Sequence, residues 1–434
     1  MTPAWRNWGG NVVAHPAVVT DVSTVDGVVA AVRSAAGRGR TLRVAGAGHS
    51  FTPLVATDGT LLRVDGLRGV VGVDRDRMRV RVAAGTPLYE LNPALQALGL
   101  ALPNLGDIDR QTISGAIATG THGTGTRRQG IAAAVGGLTL VLADGSLLRC
   151  SADEQPEVFE AARVGLGALG VVVEVELQCV ASFRLHARES GESFTEVLGG
   201  IHALADAHDH LDMHWFPHTD RVLVKRNDVV GPGEGPGPLP RWRARLDDDL
   251  LANRVFEGVN RVAARVPGTV VRVNRLSARA LGAREFADDS WKVFCSSREV
   301  RFVESEYAVP RASVEPVLRE LRGWFERTRE PVPFPVEVRF TGADDVWLST
   351  AYQRENAYVA VHQYHRMDGT RLFAAFEAIV AEHEGRPHWG KLHTLGADRL
   401  RALYPRFDDW RAVRDRLDPG RLFTNTYLRH VLGD

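Results

Sequence analysis

Hydrophobic and polar positions in the first half of the chain follow two periods, which predicts short strands separated by amphipathic helices. Valines at helical spacing over residues 25–36 predict a first helix, capped by Ser23 or Thr24. A second helix is expected with Thr86 as its N-cap and Pro87 in its first turn.

Period-two patterns and short apolar runs between the helices predict strands. In the segment 78–83 we expect Met78, Val80 and Val82 to point into the core, following a hairpin turn at 74–76. A further helix is expected over 156–164. The remaining strands are expected at 42–45, 61–64, 69–73, 138–142, 146–149 and 171–177. Helices and strands mixed in this way indicate an α+β class.

The second half of the chain has a different character. Past about residue 180, glycine-rich segments give way to longer strands and helices, with a Pro/Gly stretch at 231–238 that predicts an exposed loop. The acidic run Asp247–Asp249 is expected to be a solvated helix end rather than a metal site. With 434 residues, the chain is expected to form two or more domains.

Composition narrows the classes of partner. Lys and Arg total 53 and Asp and Glu total 53, which argues against nucleic acid or an anionic membrane as the main partner. No apolar run approaches a membrane span, and the first residues do not have the pattern of a leader, so we expect a cytoplasmic protein. Cys150, Cys179 and Cys295 lack metal-binding or redox spacing, Cys179 is expected in the core, and no metal is expected.

The first candidate for chemistry is the glycine-rich loop that follows the strand 42–45. Gly46 and Gly48 allow the backbone to turn N–H groups toward an anionic ligand such as a pyrophosphate, and His49 then lies beside that ligand. Phe51 occupies the place of the third glycine in a Rossmann fingerprint, so that fold is not indicated. By itself the loop is read more readily as a plain tight turn with a solvated histidine.

A second candidate is the run 112–125, which is rich in glycine, alanine and small polar residues. Such a run makes a poor core but lets the backbone approach a flat aromatic ligand. Taken alone, it could also be an ordinary irregular loop.

Together, the Val-x-Gly-x-Gly-His-Ser loop and the Ser-Gly-Ala-x-Ala-Thr-Gly-Thr-His-Gly-Thr-Gly run resemble the vanillyl-alcohol oxidase and p-cresol methylhydroxylase family of flavoproteins. The resemblance implies FAD bound at these loops, with His49 joined covalently to the 8α-methyl group of the flavin. The segment 165–170 resembles the adenine-side loop of that family. The FAD contacts implied are Arg43, Ala45, Gly46, Ala47, Gly48, His49, Ser50, Phe51, Gly106, Ser114, Gly115, Ala118, Thr119, Gly120, His122, Gly123, Gly170, Val171 and Asn425.

Three polar clusters stand out in the second half of the chain. Glu337 and Arg339 alternate on one face of a predicted strand, and His362 and Tyr364 do so on another. The third cluster is the turn-like motif 387–391, which contains His388 and Lys391. Each cluster alone could be a surface ion pair, a satisfied histidine or a loop lysine.

Together with the tail 416–428, these three clusters resemble the branch of the same family that contains sugar-lactone and alditol oxidases. The motifs that carry the resemblance are Glu-x-Arg, His-x-Tyr and His-Trp-Gly-Lys. The resemblance covers nearly the whole chain and is weakest from about 185 to 290. It implies oxidation of a CH–OH group, with substrate contacts from Asp107, Tyr364 and His388.

Residue chemistry agrees with that reaction. Arg339 and Lys391 are cations that can stabilise a developing alkoxide, and Glu337 can orient them and accept hydrogen bonds from further hydroxyls. His362 is a second candidate proton acceptor, since a neutral imidazole is available near pH 7. The sequence leaves the choice of base open. Family members usually carry serine where this chain has Asp107, and a free carboxylate there would favour hydroxyl-rich or cationic ligands.

The sequence therefore predicts a two-domain α+β flavoprotein of the vanillyl-alcohol-oxidase type. We expect an FAD-binding domain over 1–180, a substrate-binding cap with an antiparallel sheet over 181–415, and a tail, 416–434, that returns to the FAD domain. The expected substrate is a small sugar-derived molecule, an aldono-1,4-lactone first, with O2 or another acceptor reoxidising the FAD. Alternatives are an alditol or primary-alcohol oxidase acting on polyols or nucleosides, a non-catalytic flavin-binding protein, and an NADPH-dependent reductase of peptidoglycan precursors.

Overall fold

The structure, a computed structural model, describes residues 4–231, 233–240, 253–279, 281–296 and 298–434. The predicted acidic helix end at Asp247–Asp249 lies outside these residues. Within them, the helices are Val25–Gly37, Leu88–Ala97, Ile113–Ala118, Pro156–Ala162, Phe194–Gly199, Ile201–Ala207, Phe256–Arg265, Val270–Arg279, Ser290–Phe294, Val314–Thr328, Thr370–Ala381, Ala397–Leu403, Phe407–Leu417 and Thr426–Leu432.

Two sheets form in the first half of the chain. A parallel sheet has the strand order Val18–Asp21, Thr60–Arg63, Leu42–Ala45. An antiparallel sheet has the order Leu147–Ser151, Val135–Val141, Val171–Gln178, Arg79–Ala83, Val70–Asp74. Short pairs join Trp5–Arg6 to Val13–Ala14 and Leu100–Ala101 to Val180–Ala181. The mixture of helices and strands predicted from the sequence is confirmed.

A larger antiparallel sheet of eight strands forms in the second half. Its order is Arg284–Asp289, Arg184–Ser193, Arg221–Val230, His210–Trp215, Val336–Thr341, Asn356–Tyr364, Phe302–Pro310, Arg386–Pro387. Helices Val314–Thr328 and Thr370–Ala381 bury Leu321, Phe325 and Phe376 against one face of it. The opposite face carries most of the polar residues discussed below.

The end of the chain returns to the first-half core. Leu400, Phe407, Trp410 and Leu428 share one buried cluster with the five-stranded sheet. The Trp410 indole also donates a hydrogen bond of 2.9 Å to the carbonyl of Ala161. The last helices therefore tie the C-terminus to the part of the chain that contains both glycine-rich segments.

Two local predictions were wrong. Met78 is 39% exposed with φ +51°, because it closes the hairpin turn, and only Val80 and Val82 of its set are buried. The second helix begins at Leu88 with Pro87 as its cap. The Thr86 hydroxyl instead donates 2.6 Å to the Ala83 carbonyl, so it stabilises the end of the preceding strand.

Three further local predictions can be compared with the described residues. Thr24, rather than Ser23, caps the first helix and accepts from the Gly27 amide. Cys179 is buried in the core, as expected. Part of the run 112–125 forms the short helix Ile113–Ala118, which Thr112 caps.

Candidate active site

The glycine-rich loop after the strand Leu42–Ala45 presents a row of free amides. The N–H groups of the consecutive residues 46–50 donate to no residue in the described part of the chain. Gly48 has φ +71°, a conformation that a side chain would strain, and a Cβ at Gly46 would lie 2.6 Å from the hydroxyl oxygen of Thr112. Consecutive free amides of this kind bind phosphate oxygens well.

This loop forms one wall of a long cleft. The loop 165–170 forms another wall, with Gly167 and Gly170 at positive φ, and the short helix Ile113–Ala118 forms a third. The cleft has a volume of about 110 Å³ and is lined mainly by small residues. Of the predicted cofactor contacts, it is lined by Arg43, Gly46, Ala47, Gly48, His49, Ser50, Ser114, Gly115, Ala118, Thr119 and Gly170.

Arg43 holds the walls of the cleft together. Its buried guanidinium donates to the carbonyls of Leu54, Leu166, Gly167 and Phe423 at 2.7–2.8 Å. These four acceptors come from three separate parts of the chain. Arg43 is therefore a structural clamp for the cleft as well as one of its lining residues.

His49 lies at the junction of this cleft and a second, polar space. Its imidazole lines both volumes and stacks on Trp8 with the ring centroids 5.4 Å apart. Burial, together with the nearby charges of Lys391 and Arg110, lowers the pKa of His49 to about 4. At neutral pH the ring is therefore uncharged and retains a nucleophilic nitrogen.

The second space, which we call the polar chamber, has a volume of about 60 Å³. It brings together residues from both glycine-rich segments and from the eight-stranded sheet. Its walls are His49, Ser50, Phe51, Gly106, Asp107, Ile108, Gln111, Thr119, Thr121, His122, Glu304, Glu306, Arg339, His388, Gly390 and Lys391. Ten of these residues were predicted as site residues from the sequence.

A buried chain of charges runs from Lys391 to Arg339. The Lys391 ammonium contacts the Glu304 carboxylate. His362 Nε2 lies 3.5 Å from Glu304 Oε1 and 3.9 Å from Glu337 Oε2. Glu337 in turn contacts the guanidinium of Arg339. The predicted residues Glu337, Arg339, His362 and Lys391 are thus linked, through one glutamate that sequence reasoning missed.

The charged side chains between Lys391 and Arg339 stabilise one another. Burial alone would raise the pKa of Glu304, but Lys391 and His362 lower it to about 2. Burial alone would likewise lower the pKa of Lys391, but Glu304 and Glu306 outweigh burial and raise it. Both groups are therefore ionised at neutral pH. The lysine presents a fixed positive charge to the chamber, and its Nζ also lies 5.4 Å from the centre of the Phe51 ring.

Asp107 is not the free carboxylate that its departure from the family pattern suggested. It contacts Arg298, and its Oδ2 lies 3.4 Å from Arg339 Nη2. Burial would raise the pKa of Asp107, but Arg298 and Arg339 hold it well below the usual range. Its charge is therefore paired with Arg298 and with Arg339, which it shares with Asp212 and Glu337, and the position contributes hydrogen-bond acceptors to the chamber.

Two histidines and a glutamate form the far wall of the chamber. His122 Nε2 lies 3.3 Å from Glu306 Oε1, and His122 Nδ1 lies 2.9 Å from the Gly123 carbonyl. His388 Nδ1 accepts the Gly390 amide at 3.0 Å, and burial lowers the pKa of His388 to about 3. Its Nε2 therefore carries the proton and is a donor. Binding of a metal ion at this wall would require that proton to leave.

A second group of ligand-type side chains, Asp212, His214 and Glu337, surrounds an arginine. Arg339 contacts Glu337, and its Nε lies 3.5 Å from Asp212 Oδ1. His214 Nε2 lies 3.2 Å from Asp212 Oδ2. The guanidinium supplies the positive charge that these carboxylates need.

Of the four predicted catalytic residues, only Arg339 and Lys391 line the chamber, and Glu337 and His362 line neither space. Other predicted residues also lie outside both spaces. Tyr364 is fully buried, and its hydroxyl donates 2.8 Å to Glu257. Asn425 caps the last helix and donates to the carbonyls of residues 53, 54 and 56. Ala45, Gly120 and Val171 line neither the cleft nor the chamber, and Gly123 lines a separate cavity described below.

Sequence reasoning missed several charged residues. Glu304 and Glu306 alternate within an apolar strand, a pattern that could have indicated charges on a functional face. Asp212 and His214 show the same signal in the strand His210–Trp215. No local pattern points to Arg298, which follows a short helix and reaches Asp107 only in the folded chain.

Comparison with known proteins agrees with this geometry. Residues 175–431 match the family described as D-arabinono-1,4-lactone oxidase, and residues 16–151 match the FAD-binding domain family. The chain is 40% identical to the L-gulono-1,4-lactone dehydrogenase of Mycobacterium tuberculosis, covering 100% of both chains. It is 34% identical to the L-gulonolactone oxidase of Bos taurus, covering 98% of both, and 32% identical to an alditol oxidase of Streptomyces, covering 100% of both.

Among solved structures, cholesterol oxidase from Brevibacterium sterolicum superposes with a TM-score of 0.82, covering 99% of this chain and 96% of that one at 19% identity. The two-domain flavoprotein fold expected from the sequence is therefore confirmed. In the described residues, no helix is long and apolar enough to cross a membrane. With its amide-lined cleft and the charged chamber beyond it, the chain belongs to the D-arabinono-1,4-lactone oxidase family and is an FAD-dependent oxidoreductase that acts on CH–OH groups of sugar-derived substrates.

Proposed function

We propose that the protein oxidises a ring hydroxyl of an aldono-1,4-lactone, of the L-gulono- or D-arabinono-lactone type. The observation that carries this proposal is the convergence of Lys391 and Arg339 with His49 on one small chamber at the end of the cleft. The names of the lactone-oxidising relatives support the same substrate class. The proposed FAD-binding unit is residues 1–180 together with the returning segment, which we begin near residue 397 because Leu400 joins the first core.

The residues present fit FAD along the cleft. The free amides of the loop 46–50 would hold the diphosphate, and the small residues of helix Ile113–Ala118 leave room for a flat ring. When bound, FAD supplies the acceptor for the hydride that leaves the substrate carbon. The chain's own residues have three tasks: to place that carbon, to stabilise the negative charge on its oxygen, and to take up the proton.

Lys391 and Arg339 are the groups proposed to hold the reacting oxygen. Both are cations held in place by buried carboxylates, so they need no reorganisation as charge develops. Glu304 and His362 together are the proposed proton-accepting pair. Glu304 lines the chamber, whereas His362 lies behind it, with Nε2 3.5 Å from Glu304 Oε1 and Nδ1 donating 3.2 Å to the Pro335 carbonyl. Glu304 and Glu337 would stabilise positive charge on the imidazole.

His49 is proposed as the point of covalent attachment to FAD. A neutral imidazole at the junction of the cleft and the chamber has the nucleophilic nitrogen that such a bond requires. Acid precipitation tests the bond. Flavin should stay with precipitated wild-type protein and be released from His49→Ala, and flavin that already leaves the wild type would refute the linkage.

The function is tested with a substrate panel under anaerobic conditions. L-gulono-1,4-lactone or D-arabinono-1,4-lactone should bleach the flavin absorbance of the wild type. Lys391→Met should slow bleaching by about 100-fold or more while leaving flavin content unchanged. Arg319→Met, at an exposed arginine that pairs with Glu315 on a helix surface, is the control. A loss of flavin content in Lys391→Met as large as its loss of rate would assign Lys391 to structure.

A second candidate is oxidation of an open-chain alditol. The chamber offers donors from Lys391, Arg339 and His388 and acceptors from Asp107 and Glu306, which suits several hydroxyls. The full-length similarity to alditol oxidase supports it as well. Faster bleaching by xylitol than by either lactone would favour this candidate. Bleaching by none of the three would indicate a flavin-binding protein without this activity.

After bleaching, admission of air separates an oxidase from a dehydrogenase. The relatives include both kinds of enzyme. We propose that O2 or another acceptor regenerates the oxidised flavin. Rapid return of the flavin spectrum with release of peroxide would identify O2 as that acceptor, and slow return would point to another acceptor.

A further inference from the structure

The face of the eight-stranded sheet nearest the chamber carries a row of alternating charges. Arg284, Glu189, Lys225, Asp212 and Arg339 are directly opposite one another across five neighbouring strands, so the charges alternate in sign along the row. Cross-strand neighbours of opposite charge stabilise each other. A row of this length within a sheet needs either solvent or a polar ligand above it.

All five residues line a cavity of about 180 Å³, which we call the sheet cavity. It is three times as large as the polar chamber and has room for roughly a dozen water molecules. Its lining contains four basic and four acidic side chains, so it has no formal net charge. Its other lining residues include Asn227, Phe286 and Phe294.

Three groups in this lining have unused hydrogen-bonding capacity. Asn227 is 93% buried, and its amide makes no side-chain hydrogen bond to a described residue. Asp212 Oδ1 is buried and makes no hydrogen bond in the same part of the chain, although Arg339 Nε lies 3.5 Å from it. Lys225, opposite Asp212, forms no hydrogen bond or contact ion pair with any described residue. Asn227 is two residues from Lys225 on the same strand face, roughly 7 Å along the strand.

These unused groups indicate the chemistry of a ligand. A buried amide, an ammonium group and a carboxylate oxygen side by side offer donors and acceptors together, which suits hydroxyl groups. The absence of net charge in the lining disfavours an anion or a cation. The rings of Phe286 and Phe294 give the cavity an apolar wall that suits the C–H faces of a sugar.

The sheet cavity adjoins the chamber. Asp107 and Arg339 line both spaces and form their common wall. A molecule that places its reacting carbon beside Arg339 in the chamber could therefore place a more distant part in the cavity.

We propose that the sheet cavity binds a neutral, hydroxyl-rich unit of the substrate remote from the oxidised carbon. The preferred substrates are then longer than a single five-carbon lactone, for example a lactone or alditol that carries a further sugar. This inference rests on the proposed function for the reacting end of the substrate. Lys225, Asn227 and Asp212 are the residues that would bind the remote unit.

The kinetic test compares a short and an extended substrate. The short substrate is whichever of L-gulono-1,4-lactone and xylitol the wild type oxidises, and its extended counterpart is a 6-O-α-glucosyl aldono-1,4-lactone or maltitol, an alditol that carries an α-glucosyl unit. Both substrates are assayed with wild type, Asn227→Leu and Lys225→Met. Each variant should lose roughly tenfold or more in kcat/KM for the extended substrate and less than about twofold for the short one. Arg188→Met, an exposed residue on the other face of the strand Arg184–Ser193, should behave as wild type. Equal losses on both substrates, or no loss, would overturn the proposal.

A binding test separates failure of this inference from failure of the proposed function. Methyl α-D-glucopyranoside, which has the same anomeric configuration as the glucosyl unit of maltitol, is titrated calorimetrically into the FAD-loaded protein. The wild type and Arg188→Met should bind the glucoside, and Asn227→Leu should bind it roughly tenfold more weakly. If no lactone or alditol bleaches the flavin but the glucoside binds as expected, the proposed function is wrong, and binding of a hydroxyl-rich unit in the sheet cavity is supported. If the wild type does not bind the glucoside, or Asn227→Leu binds it equally well, the cavity proposal fails.

Discussion

Removing the Glu304 carboxylate tests whether the charge chain under the chamber is as tightly coupled as its geometry indicates. In Glu304→Gln the Lys391 ammonium loses its contact partner, and His362 Nε2 loses a carboxylate at 3.5 Å. The Glu304 side chain is 5% exposed and the Lys391 side chain 20%. Breaking a buried pair from one side costs about 3–5 kcal/mol, because the other charge remains buried.

The lowered pKa of Glu304 indicates a loss of stability of similar size. Burial would raise this pKa, but Lys391 and His362 lower it from 4.5 to about 2. A difference of that size corresponds to about 3 kcal/mol of stability. Because the folded-state pKa is lowered, this stability is present above pH 4.5 and is lost as the pH falls toward 2. The difference between wild type and Glu304→Gln should therefore be about 3 kcal/mol at pH 7 and should begin to shrink below pH 4.5.

Urea unfolding of the FAD-loaded protein, followed by tryptophan fluorescence, measures these differences. Glu320→Gln is the control, because its exposed carboxylate pairs with His383 at 3.0 Å and should contribute less than about 1 kcal/mol. The double variant Glu304→Gln, Lys391→Met should recover much of the lost stability, since neither charge is then buried alone. A cost below about 1 kcal/mol for Glu304→Gln, or a double variant as unstable as the sum of the single variants, would refute the coupling.

Three further predictions concern the cleft and its surroundings. Gly48→Ala should reduce flavin content and stability by about 1–2 kcal/mol, because φ is +71° there. The control Gly37→Ala, at a position with open space around it, should lower neither flavin content nor stability. Equal flavin absorbance in Gly48→Ala and Gly37→Ala would contradict the proposed binding of FAD by the loop 46–50. Tyr364→Phe should have a kcat/KM within about twofold of wild type, because the Tyr364 hydroxyl donates to Glu257 outside the chamber. A tenfold loss would instead indicate that Tyr364 contacts the substrate. Arg43→Lys should destabilise the protein to urea by about 2–3 kcal/mol, because an ammonium cannot reach four carbonyls, and a change below about 0.5 kcal/mol would contradict the clamp.

Local sequence determined most of the secondary structure and the cofactor side of the site. Helical spacing fixed the helix Val25–Gly37, and glycines in a strand-to-loop segment indicated the row of amides that ends at His49. These features depend on neighbouring residues only, so a pattern of a few positions is enough to predict them. The errors at Met78 and Thr86 fall at turns, where one residue decides whether a strand has ended.

Only the tertiary structure decided how the charges are partnered. The pairing of Lys391 with Glu304, and of Asp107 with Arg298, joins residues far apart in the chain, and no periodicity records such a contact. The register of the eight-stranded sheet places Lys225 opposite Asp212, which creates the charge row under the sheet cavity. A sequence shows which residues carry charge, but the strand order and register determine which charges meet, and therefore which remain free to bind a substrate.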